Sequence, residues 1–166
     1  MSNFSFWSQN KSFVRELGQY LAGKRVLEVF AGNGLLASQL AEQGVDITAT
    51  SLFKEYDSSH LKLHHPVVEM SATEAVLLHG SDANVLLMSW PEANNHAYLA
   101  AKMYFAMRGD EPSSELVFIG EKTDYSRGLL GGCATDIFFE QFGKVIHRFD
   151  SYQGNCIEVA EVLRPS

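Results

Sequence analysis

The chain has little cysteine, little positive charge and no long apolar run, and each shortage removes a class of protein. Cys133 and Cys156 are its only two cysteines. They form no Cys-x-x-Cys pair and have no histidine at ligand spacing, so they indicate neither a disulfide framework nor a zinc site. Reduced thiols are expected. His60, His64 and His65 crowd one stretch without the helical spacing of metal ligands, and no metal is expected. Lysine and arginine number 13 against 20 acidic residues, a formal charge of -7. That balance disfavours nucleic acid as a partner, because broad capture needs a basic face that displaces counterions; a local basic patch stays open. No apolar stretch approaches the roughly 20 residues of a membrane span. The opening residues Met1-Ser2-Asn3-Phe4-Ser5-Phe6-Trp7 lack the basic and apolar regions of a secretory leader, so a cytoplasmic protein without a membrane partner is expected. There is no internal repeat, low-complexity tract or charge block.

What is present suits one compact core. At 166 residues and 46% hydrophobic content the chain fills a single domain, 1–166, with 1–22 as an N-terminal helical extension. Phe13, Leu17, Tyr20 and Leu21 recur at helical spacing and predict a helix over 12–22, ended by Gly23. A strand follows over 25–30, a helix over 35–43 closed by Gly44, and strands over 45–51, 66–70 and 84–89. A helix over 93–107, a strand over 115–120 and a helix over 135–142 continue the alternation. The last two strand-like runs, 144–149 and 156–163, are separated by a connection too short for a crossover helix and suited to a hairpin. Phe4, Phe6, Trp7 and Phe13 read as aromatic anchors of the N-terminal segment.

The most informative segment is Val26-Leu27-Glu28-Val29-Phe30-Ala31-Gly32-Asn33-Gly34-Leu35-Leu36, an apolar strand joined to a helix through two spaced glycines. Gly32 and Gly34 permit a tight turn and a close approach of ligand, with the amides of the helix start directed at it. Glu28 lies inside the apolar strand, where an unpaired carboxylate costs several kcal/mol unless it meets a donor.

Glu28-Val29-Phe30-Ala31-Gly32-Asn33-Gly34 resembles the first motif of class I S-adenosylmethionine-dependent methyltransferases, with Phe30 in place of that motif's first glycine. The resemblance implies an α/β three-layer sandwich with a seven-stranded, mostly parallel sheet and a C-terminal antiparallel hairpin. It also implies S-adenosylmethionine as cofactor. Glu28 would help hold the amino-acid end, Ala31, Gly32, Asn33 and Gly34 would lie along the ligand, and Ser51 would stand where an acid usually binds the ribose. Ser71 or Ala72 would reach the adenine, although Ser71 with Glu74 also forms an S-x-x-E capping box that needs no ligand. Met88-Ser89-Trp90-Pro91-Glu92 falls where the family places its catalytic segment, often Asp/Asn/Ser-Pro-Pro-aromatic. Ser89 and Pro91 match; Trp90 and Glu92 depart. Ser89, Trp90 and Glu121 are therefore the candidates to face a small-molecule or protein acceptor. Core packing competes for Trp90, and capping of a helix near Ala93 competes for Glu92.

Three readings stay open: methyl transfer, a non-catalytic domain of the same fold that binds cofactor or a protein partner, and an NADP-binding protein. The last rests on the G-x-G-x-x-A match of Gly32 to Ala37, with Lys54 and Ser51 suited to a 2′-phosphate. The plain alternative for Ser51 is a solvated strand end, and for residues 124–132 a flexible connection or a loop closing over substrate.

Overall fold

Residues 10–52, 64–109 and 111–166 are described by the computed structural model. The anchors Phe4, Phe6 and Trp7, together with Lys54 and His60, lie outside the described residues. Helix α1 spans Lys11–Leu21, followed by β1 (Arg25–Val29), α2 (Leu35–Glu42), β2 (Asp46–Ser51), β3 (Val67–Glu69), α3 (Ala72–His79), β4 (Val85–Ser89), α4 (His96–Arg108), β5 (Glu115–Glu121), α5 (Asp136–Gln141), β6 (Lys144–Arg148) and β7 (Glu158–Arg164).

The seven strands form one sheet in the order β3-β2-β1-β4-β5-β7-β6. Pairs among β1 to β5 are parallel, while β7 runs antiparallel to both β5 and β6. The expected seven-stranded, mostly parallel sandwich with an antiparallel C-terminal hairpin is the observed fold. The hairpin does not simply extend the sheet: β7 inserts between β5 and β6.

Side-chain alternation divides the core. Leu27, Val29, Leu86, Met88, Leu116 and Phe118 point to the face packed by α3, α4 and α5. Val26, Val85, Leu87, Val117 and Ile119 point to the opposite face, which α1 and α2 cover through Phe13, Leu17, Leu21, Leu36 and Leu40. Phe13 meets Phe149 and Tyr152 edge-on, and Asn10 Oδ1 accepts the Gln153 N–H at 2.7 Å, so α1 is tied to the β6–β7 connection. Both faces of β1, β4 and β5 are covered, as a parallel sheet demands.

The helix expected over 93–107 begins three residues later. Asn94 turns back on Glu92 through its N–H, and its side-chain oxygen accepts the N–H of His96. The N-cap is Asn95, preceded by this Asn94 turn, and Glu92 is not the cap that its acidic character suggested.

The ring of Phe118 is fully buried against Phe138 and Phe139, whereas Leu77 on α3 is 64% exposed. Phe118→Ala is expected to lower the unfolding free energy by about 3–5 kcal/mol in a urea titration, and Leu77→Ala to change it by less than about 0.5 kcal/mol.

Candidate functional site

In an open parallel sheet ligands bind outside the carboxyl ends of the strands, and the chain gathers its unusual residues there. Glu28 sits opposite Ala49 of β2 and Leu87 of β4, and alternation turns it to the α1 and α2 face. It is 1% exposed, and Oε2 has no hydrogen-bond partner among the described residues. Burial pushes its carboxyl up to about 8, so the free protein holds it protonated at neutral pH.

Above Glu28 the chain leaves β1 through three left-handed residues: Phe30 at φ 60°, Gly32 at 60° and Gly34 at 78°. Phe30 keeps the backbone conformation that a glycine would adopt freely, at a cost of about 1–2 kcal/mol. The loop is fastened to β2. The N–H of Ala31 donates to the Thr50 carbonyl at 3.0 Å, and that of Gly32 donates to Ser51 Oγ at 3.1 Å. Ser51 is 8% exposed, which corrects the reading of it as a solvated strand end: its hydroxyl fixes the loop. Asn33 Oδ1 accepts the Leu35 N–H, and its carbonyl accepts the His64 N–H at 2.9 Å.

Gly34 has a packing reason to be glycine. A Cβ there would lie 2.9 Å from Val67 Cγ2 and 3.1 Å from His65 Cβ. A side chain at this position disturbs the fold before it disturbs any ligand.

On the far side of β1, Ser89 ends β4 in register with Ile119. Glu121 lies on the neighbouring strand two residues beyond that partner, and both face the α1 and α2 side. Trp90 has φ 54° and donates its N–H to the Ile119 carbonyl at 2.7 Å. Proline cannot take that φ, so this segment is not a rearranged Pro-Pro turn. Trp90 is half-buried against the α3 to α5 core, so packing accounts for part of its role. The third left-handed non-glycine residue, Ala134, donates to the carbonyls of Pro91 and Glu92.

The connection after β5 is laced down. Gly132 donates to Glu121 Oε2 at 2.7 Å, Gly131 to Thr123 Oγ1 at 3.0 Å, and Asp124 pairs with Leu129. Hydrogen bonds from Ser126 and Arg127 hold the Asp124 carboxyl near 2. This network ties down residues 124–132, which in sequence read as a flexible connection or a loop closing over substrate. A cavity of about 520 Å³ lies between this loop and residues 148–161, with Glu161 and Tyr152 in its wall.

Ser71 accepts the Glu74 N–H at 3.1 Å and caps α3; Ala72 is buried beside it. The structure thus brings Glu28, Ala31, Gly32, Asn33, Gly34 and Ser51 into one cluster. Ser71 and Ala72 follow β3 on one flank, and Ser89, Trp90 and Glu121 lie on the other. Sequence reasoning missed Glu69, which ends β3 beside Ser51; its only signal is an acid at the end of a short apolar strand.

No family model and no curated protein sequence matches the chain. Solved structures do. The S-adenosylmethionine-dependent methyltransferase SibL superimposes with a TM-score of 0.58 at 14% identity, over 96% of this chain and 56% of that one. A mutant of MtNAS in complex with S-adenosylmethionine gives 0.60 at 10% identity, over 96% and 63%. The tRNA (uracil-54, C5)-methyltransferase of Pyrococcus abyssi in complex with S-adenosyl-L-homocysteine gives 0.57 at 14%, over 95% and 38%. The chain has the class I S-adenosylmethionine-dependent methyltransferase fold. It spans less than two thirds of the length of these methyltransferase-fold neighbours.

Within this methyltransferase fold the titration of Glu28 has a definite sign. Its folded value near 8 stands above the ordinary 4.5, so its contribution to stability is complete below about pH 4.5 and is lost as pH rises to 8. Glu28→Gln removes that loss. Relative to wild type, the variant of the free protein is expected to gain on the order of 4 kcal/mol between those limits, read from urea unfolding at a series of pH values.

Proposed function

We propose that the chain is an S-adenosylmethionine-dependent methyltransferase acting on a small-molecule or protein acceptor. The observation that carries this reading is the orphaned, buried Oε2 of Glu28 beneath a left-handed glycine loop, in a sheet of this strand order. The residues fit the cofactor. Glu28 is an acceptor in want of a cationic donor, which the ammonium of the cofactor's amino-acid end supplies. Gly32 is held by Ser51 with its backbone at the rim, and Ser71 and Ala72 stand at the start of α3 toward the adenine side.

The bound cofactor supplies a methyl group on a sulfonium, already activated toward nucleophiles. The protein's task is alignment and exclusion of water. Ser89 ends β4 as a hydrogen-bonding group for the acceptor. Trp90, held by its strained backbone and by the carbonyl of Ile119, walls the cleft. Glu121 keeps a carboxylate at the end of β5 that orients a donor or takes a proton from the acceptor. No helix among the described residues is long and apolar enough to cross a membrane.

A non-catalytic domain of this fold is the second reading, favoured by Ser51 in place of an acid and by the altered β4 segment. The NADP reading has less support, because the Ser51 hydroxyl is engaged with Gly32.

Calorimetric titration with S-adenosylmethionine, S-adenosylhomocysteine and NADPH separates these. Saturable heat is expected for the first two and none for NADPH; no heat at millimolar ligand overturns the cofactor reading. Glu28→Gln is expected to weaken the first pair at least tenfold, since a hydrogen bond to a charged group contributes about 1.5–3 kcal/mol. One substitution then raises the stability of the free protein at pH 8 and lowers its affinity for cofactor. Release of S-adenosylhomocysteine in an acceptor screen distinguishes an enzyme from a binding domain.

A further inference from the structure

β2 ends without the acid that nucleotide-binding sheets use to hold ribose hydroxyls. Its last described residues cannot replace that acid. Thr50 is fully buried and donates to the Glu28 carbonyl at 3.1 Å. Ser51 accepts from Gly32, which leaves one hydroxyl proton and no charge, and Leu52 is apolar. A ribose laid across this edge would meet one weak partner where a pair of hydroxyls calls for two acceptors.

The neighbouring strand has what β2 lacks. β3 pairs in parallel with β2, and the register sets Glu69 directly against Ser51, one strand spacing of about 4.8 Å away. The ladder runs one bond further, from the Met70 N–H to the Ser51 carbonyl at 3.1 Å, so the two strand ends are held together. Val67, two residues before Glu69, lies against Gly34. Alternation therefore turns Glu69 to the same side as Val67, Ser51 and the glycine loop. Glu69 is exposed, and its carboxylate makes no hydrogen bond or ion pair among the described residues. That carboxylate stands at the carboxyl edge, and its side chain is one methylene longer than an aspartate's.

We propose that Glu69, reaching across from β3, is the ribose-binding residue of this chain: its carboxylate accepts the ribose hydroxyls of the adenosyl group while Ser51 is retained to fasten the glycine loop. The assignment rests on the cofactor reading above. It places the ribose between the loop on one side and the start of α3 on the other, which is the order in which an adenosyl ligand must cross the edge from Glu28 to Ser71.

The test is a binding cycle on the full chain by calorimetry, using S-adenosylhomocysteine and its analogue lacking both ribose hydroxyls, with wild type, Glu69→Gln and Glu69→Asp. Glu69→Gln is expected to weaken S-adenosylhomocysteine about tenfold or more, a charge-assisted hydrogen bond being lost, with Glu69→Asp intermediate. For the dideoxy analogue, wild type and Glu69→Gln are expected to be equal. Two results overturn the assignment while leaving the cofactor reading intact. One is Glu69→Gln binding S-adenosylhomocysteine within twofold of wild type. The other is an equal loss for both ligands, which would mean that Glu69 acts on the local fold. Failure of wild type itself to bind S-adenosylhomocysteine overturns the cofactor reading and this assignment with it.

Discussion

A carboxyl group at the centre of a parallel sheet is the constraint on which the functional account depends. β1 lies between β2 and β4, both of its faces are covered, and every other residue between Val26 and Val29 is apolar. Glu28 in that setting stays neutral in the free protein, and its Oε2 has no hydrogen-bond partner among the described residues. A leucine at the same place would pack and cost nothing comparable. The sheet tolerates the acid at a loss of stability, and under the proposed cofactor reading a cationic ligand above the strand would convert that loss into binding energy.

Other local strains collect along the same edge. Phe30, Trp90 and Ala134 are the non-glycine residues with left-handed backbones among the described residues. They follow β1, follow β4 and precede α5, all at the carboxyl side of the sheet. Each costs on the order of 1–3 kcal/mol, and each is held by surroundings that leave little choice: Trp90 by the Ile119 carbonyl, and Ala134 by the carbonyls of Pro91 and Glu92. Phe30 follows a strand paired on both sides. Rigid strands thus impose conformations on the residues just beyond them, and those residues form the rim of the site.

The alternation of strands and helices was legible in the sequence because β4 and β5 carry continuous apolar runs, β1 is apolar but for Arg25 and Glu28, and α1 carries a spaced apolar face. Gly23, Gly44 and the Ser71 to Glu74 box marked helix ends by local chemistry alone. The start of α4 was misplaced because Asn94 folds back on Glu92 in a turn and the N-cap falls at Asn95, an outcome of turn geometry. The insertion of β7 between β5 and β6 had no local signal, since strand order is a property of the assembled sheet. At the site, Glu28 and the glycines stood out as departures from their surroundings. The loop-fastening role of Ser51 did not, because its burial depends on the loop folding back over β2. Glu69 also did not, because only the register of β3 against β2 places it beside Ser51. The lacing of residues 122–132 was hidden for a related reason: Gly131 and Gly132 look like flexibility in sequence, and in the fold they supply the N–H groups that bind Thr123 and Glu121.

The most direct measurement is a carbon-13 carboxyl NMR titration of Glu28, with and without saturating S-adenosylhomocysteine and with Glu28→Gln to assign the resonance. The account predicts a midpoint near 8 in the free protein, lowered by roughly 1–3 pH units once a cationic amine is held against the carboxyl. A midpoint in the ordinary carboxylate range in the free protein, or one that does not move on saturation, would contradict it.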